Sequence, residues 1–196
     1  ICPNGISVLG KAHVTIEDNE ILCNEYGGIV LFGNSRVTIK NNNVHDNQIG
    51  IGLFDSPNAI IEGNRIHSNS AAAIRLFGSS QATIEGNKIN NNDDGIVLLG
   101  LSSAKINNNI IMDNKDAGIL VAYKATVEII NNIILANGGW GVTIGTKTCG
   151  YIGAKAFEGS IIGQDNVIPG PNEPRGNRGG AVCPAELMFL ASRKIP

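Results

Sequence analysis

GIVLFGNSRVTIKNNNVHDN, residues 28–47, alternates short apolar stretches and then places four asparagines within seven residues. Asparagine is a poor strand former and is seldom buried, so its recurrence beside Val37, Ile39 and Val44 needs a reason. The segment is one copy of a repeat. Asn19, Asn42, Asn64, Asn87, Asn109 and Asn132 follow one another at intervals of 22 or 23 residues. Asn24, Asn47, Asn69, Asn92, Asn114 and Asn137 keep the same register. A third column holds Gly5, Gly28, Gly50, Ala73, Gly95, Gly118 and Gly141, each of the first six lying 14 positions before an asparagine of the first set. The extra residue of a longer repeat always falls between the second asparagine and the next small residue. That point is a loop, because a strand cannot absorb one residue without turning its side chains over.

The apolar positions alternate in short runs. Ile29 and Leu31 match Ile51 and Leu53, Ile74 and Leu76, Ile96 and Leu98, then Ile119 and Val121. A second pair, Val37 and Ile39, matches Val14 and Ile16, Ala82 and Ile84, then Ala104 and Ile106. Single residues, Ile21, Val44, Ile66, Ile89, Ile111 and Ile134, stand two places after the first asparagine. Each repeat therefore holds three short strands with inward apolar residues. No stretch keeps a helical period, so the repeat closes as a three-sided coil of strands. Coils stacked in parallel about 4.8 Å apart give six coils a core about 29 Å long. A leucine-rich repeat has a similar period, but its L-x-x-L-x-L-x-x-N spacing is absent.

Composition narrows the functional classes. Net charge is −2 and no basic run occurs, which leaves no electrostatic footprint for nucleic acid. No apolar run approaches the length of a membrane span. The chain starts at Ile1 without Met or a signal peptide, as expected of a mature or excised chain. Cys2, Cys23, Cys149 and Cys183 lack CxxC spacing, which argues against structural zinc. Two disulfides in an oxidising compartment, and hence a secreted or periplasmic protein, are expected; four reduced thiols are the alternative.

The units GIVLFGNSRVTIKNNNVHDN (28–47), AAIRLFGSSQATIEGNKINNN (72–92) and GIVLLGLSSAKINNNIIMDN (95–114) resemble the parallel β-helix repeat of the pectin-lyase-like superfamily. They are most similar to its NosD-like, carbohydrate-binding and sugar-hydrolase branch. The resemblance covers residues 5–145 and implies an all-β, right-handed parallel β-helix of six to seven coils. Enzymes of that family act on the outer face of the first strand and its flanking turns. There this chain offers Asp55, Arg75, Asp93, Asp94, Lys115 and Asp116. A β-eliminating lyase needs a base and carboxylate-bound Ca²⁺, the one cofactor any of these readings implies. A hydrolase needs two facing carboxylates, which Asp93 and Asp94 could supply, although such a pair also caps turns. The Gly-His-Gly and Arg-Ile-Lys motifs of polygalacturonases and the Asp-Pro-His-Glu motif of alginate epimerases are absent.

In such a coil the two asparagine columns are frame. An inward amide carries two donors and an acceptor with which to satisfy a turn and the next amide along the stack. Off-column asparagines, Asn41, Asn43, Asn90, Asn91, Asn107, Asn108 and Asn131, face solvent. Alternation turns Val30 and Phe32, Gly52 and Phe54, Arg75 and Phe77, and Val97 and Leu99 outward on the first strand. Leu9, Phe32, Phe54, Phe77 and Leu99 then form an apolar stripe, to be covered by the tail, by a partner, or by a stacked sugar, with the tail as the first expectation. Arg75 is the charged residue at the middle of this face, with Gly52 leaving room beside it. His45 and His67 stack on adjacent coils, either as a weak metal site or as a plain surface ladder.

The division expected is a β-helix over residues 1–168 and a linker and cap over 169–196. The distance from Gly141 to Asn166 is 25 instead of 14, which places an insertion near 147–157 carrying Cys149 and Tyr151. The tail, with Leu187, Met188, Phe189 and Leu190, caps the open end or lies on the Phe stripe. Cys149–Cys183 would clamp it, and Cys2–Cys23 is the second pair. The function expected is a secreted, non-catalytic carbohydrate-binding or surface-interaction module. Its ligand candidates are Phe32, Phe54, Phe77, Arg75 and Tyr151. A polysaccharide-active enzyme using Arg75, Asp93, Asp94 and Asp55 is the alternative, and a structural piece of a larger secreted protein is a third. Partners expected are a polysaccharide, a cell-surface partner, or a second copy meeting an end or an uncovered stripe.

Overall fold

The computed structural model describes residues 3–151 and 156–191. The chain winds as a three-sided solenoid whose strands all run parallel. Among the described residues the first sheet has eight strands, the second seven and the third six. The first coil shows the plan: Asn4–Val8 on the first sheet, His13–Glu17 on the second and Glu20–Leu22 on the third. Ile29 pairs with Ile51, Ile51 with Ile74, and Ile74 with Ile96, so like residues stack on like. The second sheet repeats this with Val37, Ala59, Ala82 and Ala104, and the third with Val44, Ile66, Ile89 and Ile111. These side chains form one buried column along the axis. Burying an Ile or Leu is worth about 2–3 kcal/mol relative to exposure, and each coil repeats that gain at three to five positions.

The asparagine columns lie inside the corners between sheets. Asn42 Oδ1 accepts from Asn19 N and Nδ2, each at 3.0 Å. Its Nδ2 donates to Asn64 Oδ1 at 3.1 Å and to the carbonyls of Ile16 and Lys40 at 2.8 and 2.9 Å. Every polar atom of the buried amide is thus satisfied. The chain turns at the residue before each ladder asparagine of the regular coils. Asn41, Asn108 and Asn131, and Asp46, Asn91 and Asp113 before the second ladder, all have φ between 53° and 57°. Four off-column asparagines are therefore corner residues in the left-handed conformation, which Asn tolerates better than most side chains. The small-residue column has its own reason: a Cβ on Gly28 would stand 2.7 Å from a Val44 methyl and 2.8 Å from Gly50 O.

The first ladder ends at Asn166 and the second at Asn177. Residues 169–180, expected as a linker, therefore carry a rung of the frame. Gly180–Cys183 then adds the last strand of the first sheet, pairing with Trp140–Ile144. The 3₁₀ turn Ala185–Leu190 follows, with Leu190 fully buried against the core and its carbonyl accepting from Asn166 N at 3.2 Å. The tail closes the end of the solenoid. Its described residues do not lie on the Phe stripe, because its strand and cap are consumed by the terminal coil; Met188 and Phe189 remain exposed. Cys149 and Cys183 are joined in a disulfide. Among the described residues Cys23 is an exposed free thiol at a left-handed corner; its expected pairing with Cys2 lies outside the described residues.

Candidate functional site

The outer face of the first sheet divides into two apolar plaques with Arg75 between them. On the N-terminal side Phe32 stacks on Phe54, with ring centroids 5.5 Å apart, and Tyr26 lies 6.3 Å from Phe54. The Phe54 ring folds back over Gly52: a Cβ there would stand 2.7 Å from it. Gly52 therefore makes room for Phe54, and not for a ligand beside Arg75. Val30, an outward position, is fully buried on this side. Phe77 stands apart at the strand end, 49% exposed, so the expected continuous stripe is broken.

On the C-terminal side Ala72, Val97, Ala117 and Leu120 form a second outer cluster, against which Leu99 and Tyr151 pack. Tyr151 comes from the insertion. The disulfide at Cys149 ties that insertion to the last strand, so the loop folds onto this face. Tyr151 joins the carboxylates and not the Phe residues. Burial raises its phenol pKa, and the negative charges of Asp116 and Asp94 add to the rise.

Arg75 sits in register between Gly52 and Val97. Its Nε is shielded from solvent and has no hydrogen-bond partner among the described residues. Asp94 opens the strand of the next coil, and its Oδ1 accepts from Ala117 N at 3.1 Å. Burial pushes the Asp94 carboxyl up to about 6 against the pull of that bond; Asp116 and Asp93 push it further, and Arg75 opposes them. Asp116 is also raised, by burial and then by Asp93. Asp93, Asp94 and Asp116 thus gather with Tyr151 at the entrance of the strands, and Arg75, further along its own strand, acts on Asp94. Asp55 does not join them. It follows the far end of its strand, at φ 70°, and accepts from Gly33 N at 3.2 Å, which makes it a turn residue.

His45 and His67 stack as expected, with centroids 4.7 Å apart and planes 5° from parallel. All four ring nitrogens have neighbours: Asp46 and Glu20 for His45, Ser68 and Asn43 for His67. Among the described residues no three His, Cys, Asp or Glu side chains are placed to hold a metal ion. The two rings form a stacked pair with a protein neighbour at each nitrogen. The sequence reading missed Tyr26 and the folding-over of Phe54. An aromatic two residues beyond an outward glycine was the available signal.

A stacked three-sided coil with internal asparagine ladders and an elaborated first-sheet face defines a class. The chain belongs to the right-handed beta helix region family, which matches residues 4–153. No curated protein matches its sequence. Among solved structures it is similar to the periplasmic alginate epimerase AlgG, at 20% identity and a TM-score of 0.81. The AlgG D317A and T265N mutants give 0.82 and 0.80 at the same identity. At that identity the likeness is one of fold. It covers 98% of this chain and 48% of AlgG, so the chain spans about half of that protein's length.

Proposed function

We propose that this chain is a polysaccharide-binding β-helix module whose binding face is the outer face of the first sheet. One observation carries the reading: the Arg75 guanidinium stands between two apolar plaques with a shielded, unpartnered Nε. A guanidinium so placed suits the planar, bidentate carboxylate of an acidic sugar. Asp94 and Asp116 oppose an anionic chain while ionised. Because Asp94 is raised to about 6, that opposition weakens in mild acid, where uronate carboxyls stay charged. The disulfide suits a secreted or periplasmic setting, and no helix among the described residues is long and apolar enough to cross a membrane. A cell-surface glycan is the partner chemistry that fits.

The test is calorimetric titration with polygalacturonate, alginate and neutral glycans at pH 7 and pH 5. The expected result is binding of an acidic chain that strengthens at pH 5 and falls at least tenfold in Arg75→Ala. Failure of every acidic chain to bind, or indifference to Arg75→Ala, would overturn the reading.

A catalytic second reading is favoured by one observation, the Asp94 carboxyl near neutrality. A general base works best with its pKa close to the operating pH, and Arg75 would neutralise the carboxylate beside a departing proton. Exchange of solvent deuterium into a polyuronate, lost in Asp94→Asn, is its signature; no exchange on any chain the protein binds would reject it.

A further inference from the structure

A groove of about 470 Å³ opens at the corner between the first and second sheets, lined among the described residues by Phe77, Leu101, Tyr123, Lys124, Ala156 and Glu158. Tyr123 occupies a corner that other coils fill with Gly10, Gly33, Asp55, Gly78 and Gly100, all at φ between 68° and 75°. The backbone contacts repeat as well: Lys124 N donates to Gly100 O at 3.0 Å, as Leu101 N does to Gly78 O at 2.8 Å. Tyr123 is held at φ 62°. For a bulky side chain this is a strained conformation, which persists only where something else holds it. The side chain is not buried in return. Tyr123 is 43% exposed, Phe77 49% and Leu101 62%, and they share one rim.

The opposite wall is the end of the insertion. Glu158 N donates to Tyr123 O at 2.7 Å, which seats the loop on the corner. The Glu158 carboxylate meets Lys124 Nζ at 3.0 Å. The groove therefore offers exposed aromatic side chains beside one donor and one acceptor whose charges cancel. That combination disfavours an ion and an apolar peptide alike. It fits a ring with an apolar C–H face and a pair of adjacent hydroxyls.

We infer that this corner is a binding subsite for one neutral pyranose unit of a linear glycan, stacked on Tyr123 and held by Lys124 and Glu158 through its hydroxyls. The subsite goes beyond the proposed acidic-sugar face, and it does not use Arg75.

The experiment is calorimetric titration of the whole chain with cellohexaose, mannohexaose and xylohexaose, beside Tyr123→Gly, Glu158→Ala and Arg75→Ala. At least one neutral hexaose is expected to bind. Tyr123→Gly should weaken it at least tenfold with no fall in Tm, since glycine relieves the corner. Glu158→Ala, which keeps the backbone bond to Tyr123, should weaken it at least fivefold. Arg75→Ala should leave it within twofold, even if it abolishes acidic-chain binding. The inference is overturned if no neutral hexaose binds at millimolar concentration. It is also overturned if Tyr123→Gly or Glu158→Ala binds within twofold of the parent, if Tyr123→Gly lowers Tm, or if Arg75→Ala removes the binding.

Discussion

Asn137 Nδ2 donates to Asn177 Oδ1 at 2.8 Å, a contact between rungs forty residues apart in the chain. An insertion and a proline-rich stretch intervene, yet the ladder continues. The frame is therefore set by the need to satisfy each buried amide, and not by even spacing. A central rung should be costly to remove. Asn64→Ala strands Asn42 N, takes one acceptor from Asn42 Nδ2 and removes a donor from the Ile39 carbonyl in a dry corner, and should lose about 3 kcal/mol. Asn19→Ala, at the exposed end of the same ladder, should lose less than about 1 kcal/mol. Urea denaturation of both variants compares them; equal losses would contradict the ladder account.

Asp94 makes stability depend on pH in a defined direction. Its folded-state pKa is raised from 3.8 to about 6, so the protonated form is the one the fold favours. Its contribution is complete below the unfolded value of 3.8 and is lost as pH rises through about 6. Asp94→Asn should thus stabilise the protein above pH 6, by up to about 3 kcal/mol, and change little at pH 4. Thermal denaturation across that range measures it. A stabilisation that is the same at both ends would show that ionisation is not the cause.

The stacked histidines should titrate apart. The Asp46 bond at 2.6 Å is the main reason His45 is raised above the usual 6.5, with burial opposing and Glu20 assisting. Burial, then Arg65 and His45, lower His67. His45 thus adds stability that is present below pH 6.5 and lost as pH rises through its folded value; His67 acts in the opposite sense. Proton NMR titration of the two rings should give His45 the higher midpoint, and His45→Gln should raise that of His67. Coincident midpoints would contradict this geometry.

Opening the Cys149–Cys183 disulfide should loosen the C-terminal end before the rest. The bond closes a loop with a sequence separation of 34. Chain entropy puts the loss near about 4 kcal/mol. In Cys149→Ser with Cys183→Ser, amide exchange should quicken at residues 140–151 and 180–190, while the Ile29–Ile51–Ile74 stack stays protected. Uniform quickening along the solenoid would instead mean one cooperative unit.

The coil, its three strands and twelve of the fourteen ladder rungs were legible because each repeat states the same requirement again. Asn166 was legible through SIIGQDNVI, residues 160–168. Asn177 was not, because nothing in PGPNEPRGNRGG, residues 169–180, repeats. Of the candidate site, Arg75, Asp93, Asp94 and Tyr151 were individually visible. That Tyr151 joins them was not, since it reaches the carboxylates only through a loop that occurs once. Asp55 looked equivalent to Asp94 in type and differs in place: one ends a strand, the other begins one.

The inside of this protein follows from its sequence. Every inward position is tested against a like neighbour one coil away, so apolar, amide and small-residue columns admit one register. The outside is a matter of tertiary structure. Whether Gly52 is empty or roofed by Phe54, and whether Leu190 caps the end or covers the stripe, depends on contacts made once. The raised carboxyl of Asp94 depends on them too. Such contacts carry no period, and burial of a charge is a property of the assembled surroundings and not of the residue that bears it.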